Sequence, residues 1–219
     1  APAYIRSDTT DVLIRTAGND SILGGTNNTS NYAEIDCVGE FRPIGGGIGG
    51  TLFLTGNIGY AQITTGSTCN VTAAAVDMQA GSNAGAYSAI TPSSGNPNCS
   101  ITTTGNVDLK AGTNNADAYI DKYTVTNFNI GGDLALQSQN VGTGKSYMNI
   151  QDVTGTISAN NIKVYAGNNA GAGCDAYIIS ANNLSLTTTG GGFLYVTAGS
   201  GDIANEARLE GAPITLNVG

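Results

Sequence analysis

A four-residue phrase that returns about every 29 residues constrains the fold of this chain more than any other sequence feature. Its copies are PAYI (2–5), YAEI (32–35), YAQI (60–63), YSAI (87–90), DAYI (117–120), YMNI (147–150), DAYI (175–178) and EARL (206–209). From YAEI onward, successive copies start 28, 27, 30, 30, 28 and 31 residues apart. A period of roughly 20–50 residues is typical of repeat architectures, in which every repeat forms one structural unit.

Two further apolar strands lie between consecutive copies of this phrase. The stronger strand mostly ends in a small residue and glycine, and its copies are VLIRTAG (12–18), LFLTG (52–56), VDMQAG (76–81), VDLKAG (107–112), LALQSQ (134–139), KVYAG (163–167) and LYVTAG (194–199). The weaker strand comes before it in most coils, as NVT (70–72), SITTTG (100–105), NFNIGG (127–132), GTISANN (155–161) and NLSLTTTG (183–190). Alternation with period two predicts strands that each bury one apolar face.

The order of these strands predicts an all-β chain that forms one parallel β-solenoid domain over residues 1–219. We expect about seven coils of roughly 29 residues, each with three short strands. A single coil cannot bury its apolar face, whereas coils stacked about 4.8 Å apart share a core and pair their backbones. The longest departures from the period, residues 18–31 and 43–50, should lie at corners. A β-sandwich also uses many short strands, but it does not explain one phrase at near-constant spacing.

Charge and composition exclude several classes of function. Only 11% of the residues are charged, and the formal net charge is −8 with a pI near 4.2. Nucleic-acid binding needs clustered basic residues, and the eight basic residues of this chain are scattered. No apolar stretch approaches the roughly 18 residues that span a bilayer, so we predict no membrane insertion. We interpret the opening Ala-Pro-Ala as the mature end of a secreted chain.

Acidic and tyrosine residues share the first position of the repeated phrase: Tyr32, Tyr60, Tyr87, Asp117, Tyr147, Asp175 and Glu206. Three acids in one column are compatible with a groove for a cation or a sugar, but we interpret the column as a solvated outer face. A row of exposed tyrosines would favour sugar binding, although the acids interrupt the row. This column therefore predicts no specific ligand.

Asp77 and Asp108 share a second column, with Lys110 nearby. Parallel β-helix lyases and glycosidases place paired carboxylates on such a face. The chain has no histidine, and no second acid–base pair converges on these two acids. We therefore predict no catalytic residues and no enzyme. Calcium-binding repeats and Asp-x-Asp-x-Asp loops are absent from the sequence, so we predict neither a metal site nor a cofactor.

The sequence also contains threonine runs and glycosylation sequons. The TTTG runs at 102–105 and 187–190 resemble the threonine arrays of ice-binding solenoids. The threonine pair is missing from the coils between them, so we predict structural threonine ladders. The candidate glycosylation residues are Asn19, Asn27, Asn28, Asn70, Asn98 and Asn183. A chain this rich in Asn, Ser and Thr contains about this number of sequons by chance.

Four cysteines suggest an oxidising compartment. Cys69 and Cys99 lie at nearly the same phase of adjacent coils, which predicts a disulfide between them, with Cys37–Cys69 as the competing pair. Cys37 and Cys174 are five periods apart, and five coils at about 4.8 Å separate them by about 24 Å. We expect each of these two to be a free thiol or to be bonded to a neighbouring subunit.

The repeat and the Gly/Asn/Thr composition resemble those of secreted β-solenoid surface proteins: adhesin-like stalks and the sheath, filament or surface-layer subunits of archaea and bacteria. This resemblance implies an extracellular or cell-surface structural role. Because no capping segment is recognisable in the first or last repeat, we expect homopolymers that stack end to end. The alternatives are an adhesin or carbohydrate-binding module for cell-surface glycans and, third, a polysaccharide lyase or hydrolase.

Overall fold

The computed structural model describes residues 3–8, 12–24, 32–139, 143–167, 173–199 and 205–219. All regular structure within these residues is β-strand. Numbered in chain order, the strands are β1 (Ala3–Ser7), β2 (Val12–Thr16), β3 (Asp20–Leu23), β4 (Ala33–Cys37), β5 (Phe41–Thr55), β6 (Ala61–Thr65), β7 (Cys69–Gln79), β8 (Tyr87–Pro92), β9 (Asn98–Thr103), β10 (Val107–Lys110), β11 (Asp117–Asp121), β12 (Thr124–Ile130), β13 (Leu134–Gln137), β14 (Ser146–Ile150), β15 (Asp152–Ala159), β16 (Ile162–Tyr165), β17 (Ala176–Ser180), β18 (Leu184–Thr188), β19 (Leu194–Thr197), β20 (Ala207–Glu210) and β21 (Ile214–Asn217).

These strands stack as the three faces of a parallel β-solenoid, as the sequence predicts. The first face has the order β1-β4-β6-β8-β11-β14-β17-β20. The second face contains β2, β9, β12, β15, β18 and β21, and the third face contains β3, β10, β13, β16 and β19. The long strands β5 and β7 each run from the second face into the third without a break. Every pair is parallel, and the number of coils is close to the predicted seven.

Alternation places one side of each strand in a core that runs along the stack. In β4, β6 and β17, inward residues are buried and outward residues are half-buried. Each first-face strand in the body of the stack begins its inward side with a small residue, such as Ala61 or Ser88, and continues with a large aliphatic one, such as Ile63 or Ile90. The small residue fits the corner, and the large one fills the centre.

The repeat phase is correct for most coils but slips by two residues in one. Ala118 pairs with Ser146, so Tyr147 lies opposite Tyr119 and not opposite Asp117. The phrase at 147–150 is therefore out of register with the other copies. A shift of two residues keeps every side chain on the same side of the strand, so hydrophobic alternation alone cannot detect it. The small residue at the corner, Ser146, sets the register.

A second correction concerns the first coil. The sequence predicts that VLIRTAG (12–18) forms the stronger strand of the first coil. These residues instead form β2, which pairs with the first part of β5 on the second face. The third-face slot is filled by β3, where Asp20 pairs with Leu52. The segment 43–50 also differs from the prediction, because it lies inside β5 as a bulge and not at a corner. From Phe41 to Ile48 β5 advances by seven residues, whereas β7 advances by only four over the same stretch, from Cys69 to Ala73.

The corner after the third face explains the recurrent small residue and glycine. A Cβ on Gly81 would lie 1.4 Å from the carbonyl oxygen of Asn57, and one on Gly112 would lie 1.6 Å from that of Gly81. Only glycine allows adjacent coils to approach this closely. The corner before the third face is held differently: Asn106 Oδ1 accepts the N–H of Asp133 at 3.0 Å, and Asn161 Oδ1 accepts that of Phe193 at 3.1 Å.

No helix in the described part of the chain is long and apolar enough to cross a membrane.

Candidate assembly ends and the tyrosine row

The two ends of the stack expose side chains that occupy core columns. We call the outer edge of β1, β2 and β3 the head end, and the outer edge of β19, β20 and β21 the tail end. At the head end Ile5 is 55% exposed, whereas its register partner Ile35 is 5% exposed. At the tail end Leu216 is 49% exposed, although its partner Leu186 is 2% exposed. The apolar core is thus open at both ends of the described stack.

An apolar cavity of about 620 Å³ opens at the head end. Its walls are mainly aliphatic and aromatic side chains of the first two coils, among them Ile14, Ile22, Phe41 and Leu52. The tail end presents a set of exposed apolar side chains: Phe193, Tyr195, Val196, Ile214, Leu216 and Val218, each 39–51% exposed.

Backbone polarity is also complementary between the two ends. At the start of inner strands, a backbone N–H donates to a carbonyl of the next coil, as Leu134 does to Asn161 and Ile162 does to Phe193. Each of the described outermost strands has a strand neighbour on one side only. Such edges template further parallel pairing.

Six tyrosines form one row along the outside of the first face. Their rings stack in the order Tyr32, Tyr60, Tyr87, Tyr119, Tyr147 and Tyr177, with centroids 4.5–5.8 Å apart. The contact between Tyr87 and Tyr119 is tilted by 37°, and the other four are within 16° of parallel. At that tilted contact the row moves two residues along the strand, since Asp117 and not Tyr119 is the register partner of Tyr87. The expectation that acids interrupt the row is therefore wrong.

Stacking determines what this row can bind. Each inner ring has both faces covered by its neighbours, so mainly ring edges and hydroxyls are left at the surface, where the rings are half-buried. Sugar platforms need an exposed ring face, which this row offers only at its ends. Burial, with Glu34 and Tyr32 nearby, raises the pKa of Tyr60 to about 12, and burial with Asp121 and Asp117 does the same for Tyr119. The hydroxyls therefore stay protonated at physiological pH.

The acids of the first-face column hold the coil corner. Asp117 Oδ1 accepts the backbone N–H of Lys145 at 2.8 Å, and Asp175 Oδ1 accepts that of Glu206 at 3.1 Å. Lys145 Nζ lies 2.8 Å from Asp175 Oδ2. Burial raises the pKa of Asp117, and hydrogen bonding and charge from Lys145 partly oppose that effect. The predicted solvated face is in fact a bonded ladder in these coils.

Asp77 and Asp108 are register partners, as the sequence predicts. Lys110 Nζ lies 3.3 Å from Asp77 Oδ1 and 3.9 Å from Asp108 Oδ2. Burial raises the pKa of Asp108, and Lys110 counters it. The three groups form a partly exposed ion cluster. No group of three or more metal-ligating side chains occurs among the described residues.

The cysteines are all buried, and none of the four forms a disulfide in the structure. Cys69 and Cys99 lie directly opposite each other in β7 and β9, as their shared phase predicts, but the predicted bond between them is absent. Burial raises the pKa of the Cys99 thiol. Cys37 and Cys174 have no exposed surface in the single chain, and the expected bond to a neighbouring subunit stays a prediction.

The glycosylation candidates fall into three groups. Asn27 and Asn28 lie outside the described residues. Asn19 and Asn98 are exposed, although Asn19 Oδ1 accepts the N–H of Thr51. Asn70 and Asn183 use their amide groups within the stack, where Asn70 Nδ2 donates to Glu40 and Asn183 Nδ2 donates to the carbonyl of Val153.

The outward side of the second face carries two columns of small polar residues. One column runs Thr72, Thr102, Asn129, Ser158, Thr187 and Asn217. The predicted threonine ladder exists, but asparagine and serine replace threonine at three of its six positions. Its side chains form hydrogen bonds between adjacent coils; for example, Ser158 Oγ donates to Asn129 Oδ1 at 3.3 Å.

Comparison with known proteins adds no relative. The chain matches no protein-family model, no curated protein and no solved structure.

The sequence did not identify Asp20 as a core-facing residue of the first coil, because the repeat places VLIRTAG in the third-face strand position that β3 occupies. It also missed Tyr119 and Tyr177 as members of the row. The signal for those two was present, since each lies two residues after an acid that begins a copy of the phrase.

Proposed function

We propose that this chain is a structural subunit of an extracellular filament, sheath or surface layer, in which copies stack head end to tail end. The observation that carries this proposal is the exposure of core-column side chains at both ends. Burying such surface is worth about 25 cal/mol per Å² of apolar area. A contact between two different ends is open, so it propagates as a polymer instead of stopping at a dimer.

The columns of the two ends correspond. On the first face, Ile5 and Leu209 are the first and last members of one inward column, so stacking would continue an aliphatic core. On the first face, Arg6 and Glu210 are the first and last members of one outward column. Stacking in register would bring these opposite charges of two copies together. Charge complementarity of this kind favours the correct register.

The extracellular location is part of the proposal. Low charge and a high content of Asn, Thr, Ser and Gly support it, together with the resemblance to secreted surface solenoids. The buried thiols add no support, because none forms a disulfide.

Light scattering on the purified chain, at pH 4.5 and at pH 7.5, tests the proposal, with electron microscopy of the same samples. We expect rods whose axial repeat is the eight first-face strands of one copy at about 4.8 Å each, or roughly 38 Å per copy. Leu216→Lys should prevent their formation, because it places a charge in the tail-end core column. Thr102→Lys adds the same charge to an exposed site in mid-stack and should not. A monodisperse monomer at both pH values and high concentration overturns the proposal.

A glycan-binding module is the second candidate, because the tyrosine row is continuous and half-exposed. The covered ring faces count against it. Retention on insoluble polysaccharides that is lost in Tyr177→Ala, a variant at the end of the row, would favour this candidate over assembly.

A further inference from the structure

The tyrosine row of the first face consists of two blocks, and each block places one ring per coil at the same position of neighbouring strands. The blocks are Tyr32, Tyr60 and Tyr87, and Tyr119, Tyr147 and Tyr177. Within a block the ring centroids are 4.5–5.0 Å apart and the ring planes lie within 16° of parallel. Between the blocks the centroid distance is 5.8 Å and the tilt is 37°. Phenol rings of adjacent coils are therefore in direct contact.

Phenol rings in contact are suited to oxidative coupling. A one-electron oxidant takes an electron from a phenol, and loss of the hydroxyl proton leaves a phenoxyl radical. The unpaired electron is shared between the oxygen and the ring carbons next to it. Two neighbouring radicals join through these ortho carbons, and the hydrogen on each joined carbon then moves to its ring oxygen. In total one C–C bond forms, two C–H bonds break, and two electrons and two protons leave.

The reactive part of each ring is the part that remains accessible. Neighbouring rings cover the ring faces, so the half-buried rings present the edges that carry the hydroxyl and the ortho carbons. Carboxylates that can receive the hydroxyl protons lie beside both blocks, Glu34 near Tyr60 and Asp121 near Tyr119. An oxidised ring can also take an electron from the ring that it contacts. Oxidation at one exposed edge therefore reaches the other rings of its block.

We propose that the tyrosine row is a site of oxidative cross-linking, at which a haem peroxidase that uses hydrogen peroxide joins tyrosines of adjacent coils as dityrosine. The peroxide accepts the two electrons and two protons of each coupling and leaves as two molecules of water. Cross-links form within the blocks, because the equivalent carbons of two parallel rings are about as far apart as the ring centroids. The contact between Tyr87 and Tyr119 stays unlinked, since these rings leave their strands two residues apart. This cross-linking does not require that copies assemble.

The test treats the dilute purified chain with a haem peroxidase and hydrogen peroxide, and it locates dityrosine by fluorescence and by mass spectrometry of peptides. Tyr60→Phe removes the middle ring of the first block. Tyr195→Phe is the matched control, because Tyr195 is 48% exposed and stacks on no other tyrosine in the described part of the chain. Circular dichroism verifies that each variant retains the β-fold.

We expect dityrosine inside single chains, within the two blocks, at a yield per chain that does not change with protein concentration. Tyr60→Phe should lose the links of the first block and keep those of the second, and Tyr195→Phe should behave as wild type. A link from Tyr32 to Tyr60 closes a loop of about 28 residues and restricts the unfolded chain as a disulfide does. It should raise the midpoint of thermal unfolding by roughly 7–14 °C.

Three results would overturn the proposal. The first is dityrosine that forms only between chains and disappears on dilution. The second is coupling at Tyr195 in preference to the row. The third is oxidation of the row that yields no dityrosine. Failure of the chain to form rods would leave this test unaffected, so the cross-linking site and the proposed function are judged separately.

Discussion

Replacement of Gly112 by alanine probes the closest contact between coils. The added Cβ would lie 1.6 Å from the carbonyl oxygen of Gly81 and 2.9 Å from that of Ala80. The two coils must therefore separate locally by more than 1 Å, out of a spacing of about 4.8 Å. The hydrogen bonds at risk are those from Ala80 to Lys110 and from Ala111 to Gln137, at 2.9 and 3.0 Å.

Two or three weakened backbone hydrogen bonds, at about 1 kcal/mol each, cost about 2–3 kcal/mol. Alanine recovers about 0.4–1 kcal/mol by restricting the unfolded chain, so the net loss should be about 1–2.5 kcal/mol. Urea denaturation followed by circular dichroism measures this loss, and the midpoint of thermal unfolding should fall by roughly 2–10 °C. Gly18→Ala is the control, because its Cβ would meet nothing within 4 Å. Equal stability of Gly112→Ala and wild type would refute the packing argument.

Three further predictions concern the core, a corner and the cysteines. Tyr123→Phe should lower the free energy of unfolding by about 1 kcal/mol, measured in urea, because Thr65 Oγ1 loses a buried partner 2.9 Å away. Burial acts to raise the pKa of Asp133, but hydrogen bonds from lysine and asparagine lower it below the ordinary value. Asp133→Asn should therefore cost about 0.5 kcal/mol at neutral pH, discounted for solvent screening, and progressively less as pH falls through the acidic range. Non-reducing peptide mapping after mild oxidation should recover a linked Cys69–Cys99 peptide, because the two cysteines lie opposite each other in β7 and β9. Two unlinked thiols would reject that pairing.

The sequence predicted the architecture because the repeat carries its own register. Two phrases in constant order place the strands in coils, and alternation identifies their inward sides. The errors arose where these signals are degenerate. Tyr147 shifted by two positions without changing side, and the first coil contains an Ala-Gly ending, at residues 17–18, on the wrong face. Pairing between coils settles both cases, and pairing is not a local property of the sequence.

The candidate site was less predictable than the fold. Tyr87 contacts Tyr119, which lies two residues beyond its register partner Asp117, and the two rings are tilted to make this contact. Assigning residues to repeat columns places Tyr87 beside Asp117 and therefore cannot predict the contact. The core position of Asp20 depends on which first-coil segment pairs with β5.

The near-constant coil length has a mechanical consequence. Each coil is hydrogen-bonded only to the coils beside it, so a force applied to the two ends of the chain should peel coils away one after another from an end. A released coil of about 29 residues, extended at roughly 3.3–3.6 Å per residue, lengthens the tether by about 100 Å. Single-molecule stretching should therefore give a ladder of nearly equal extensions, with the spacing between steps reporting the period of the repeat.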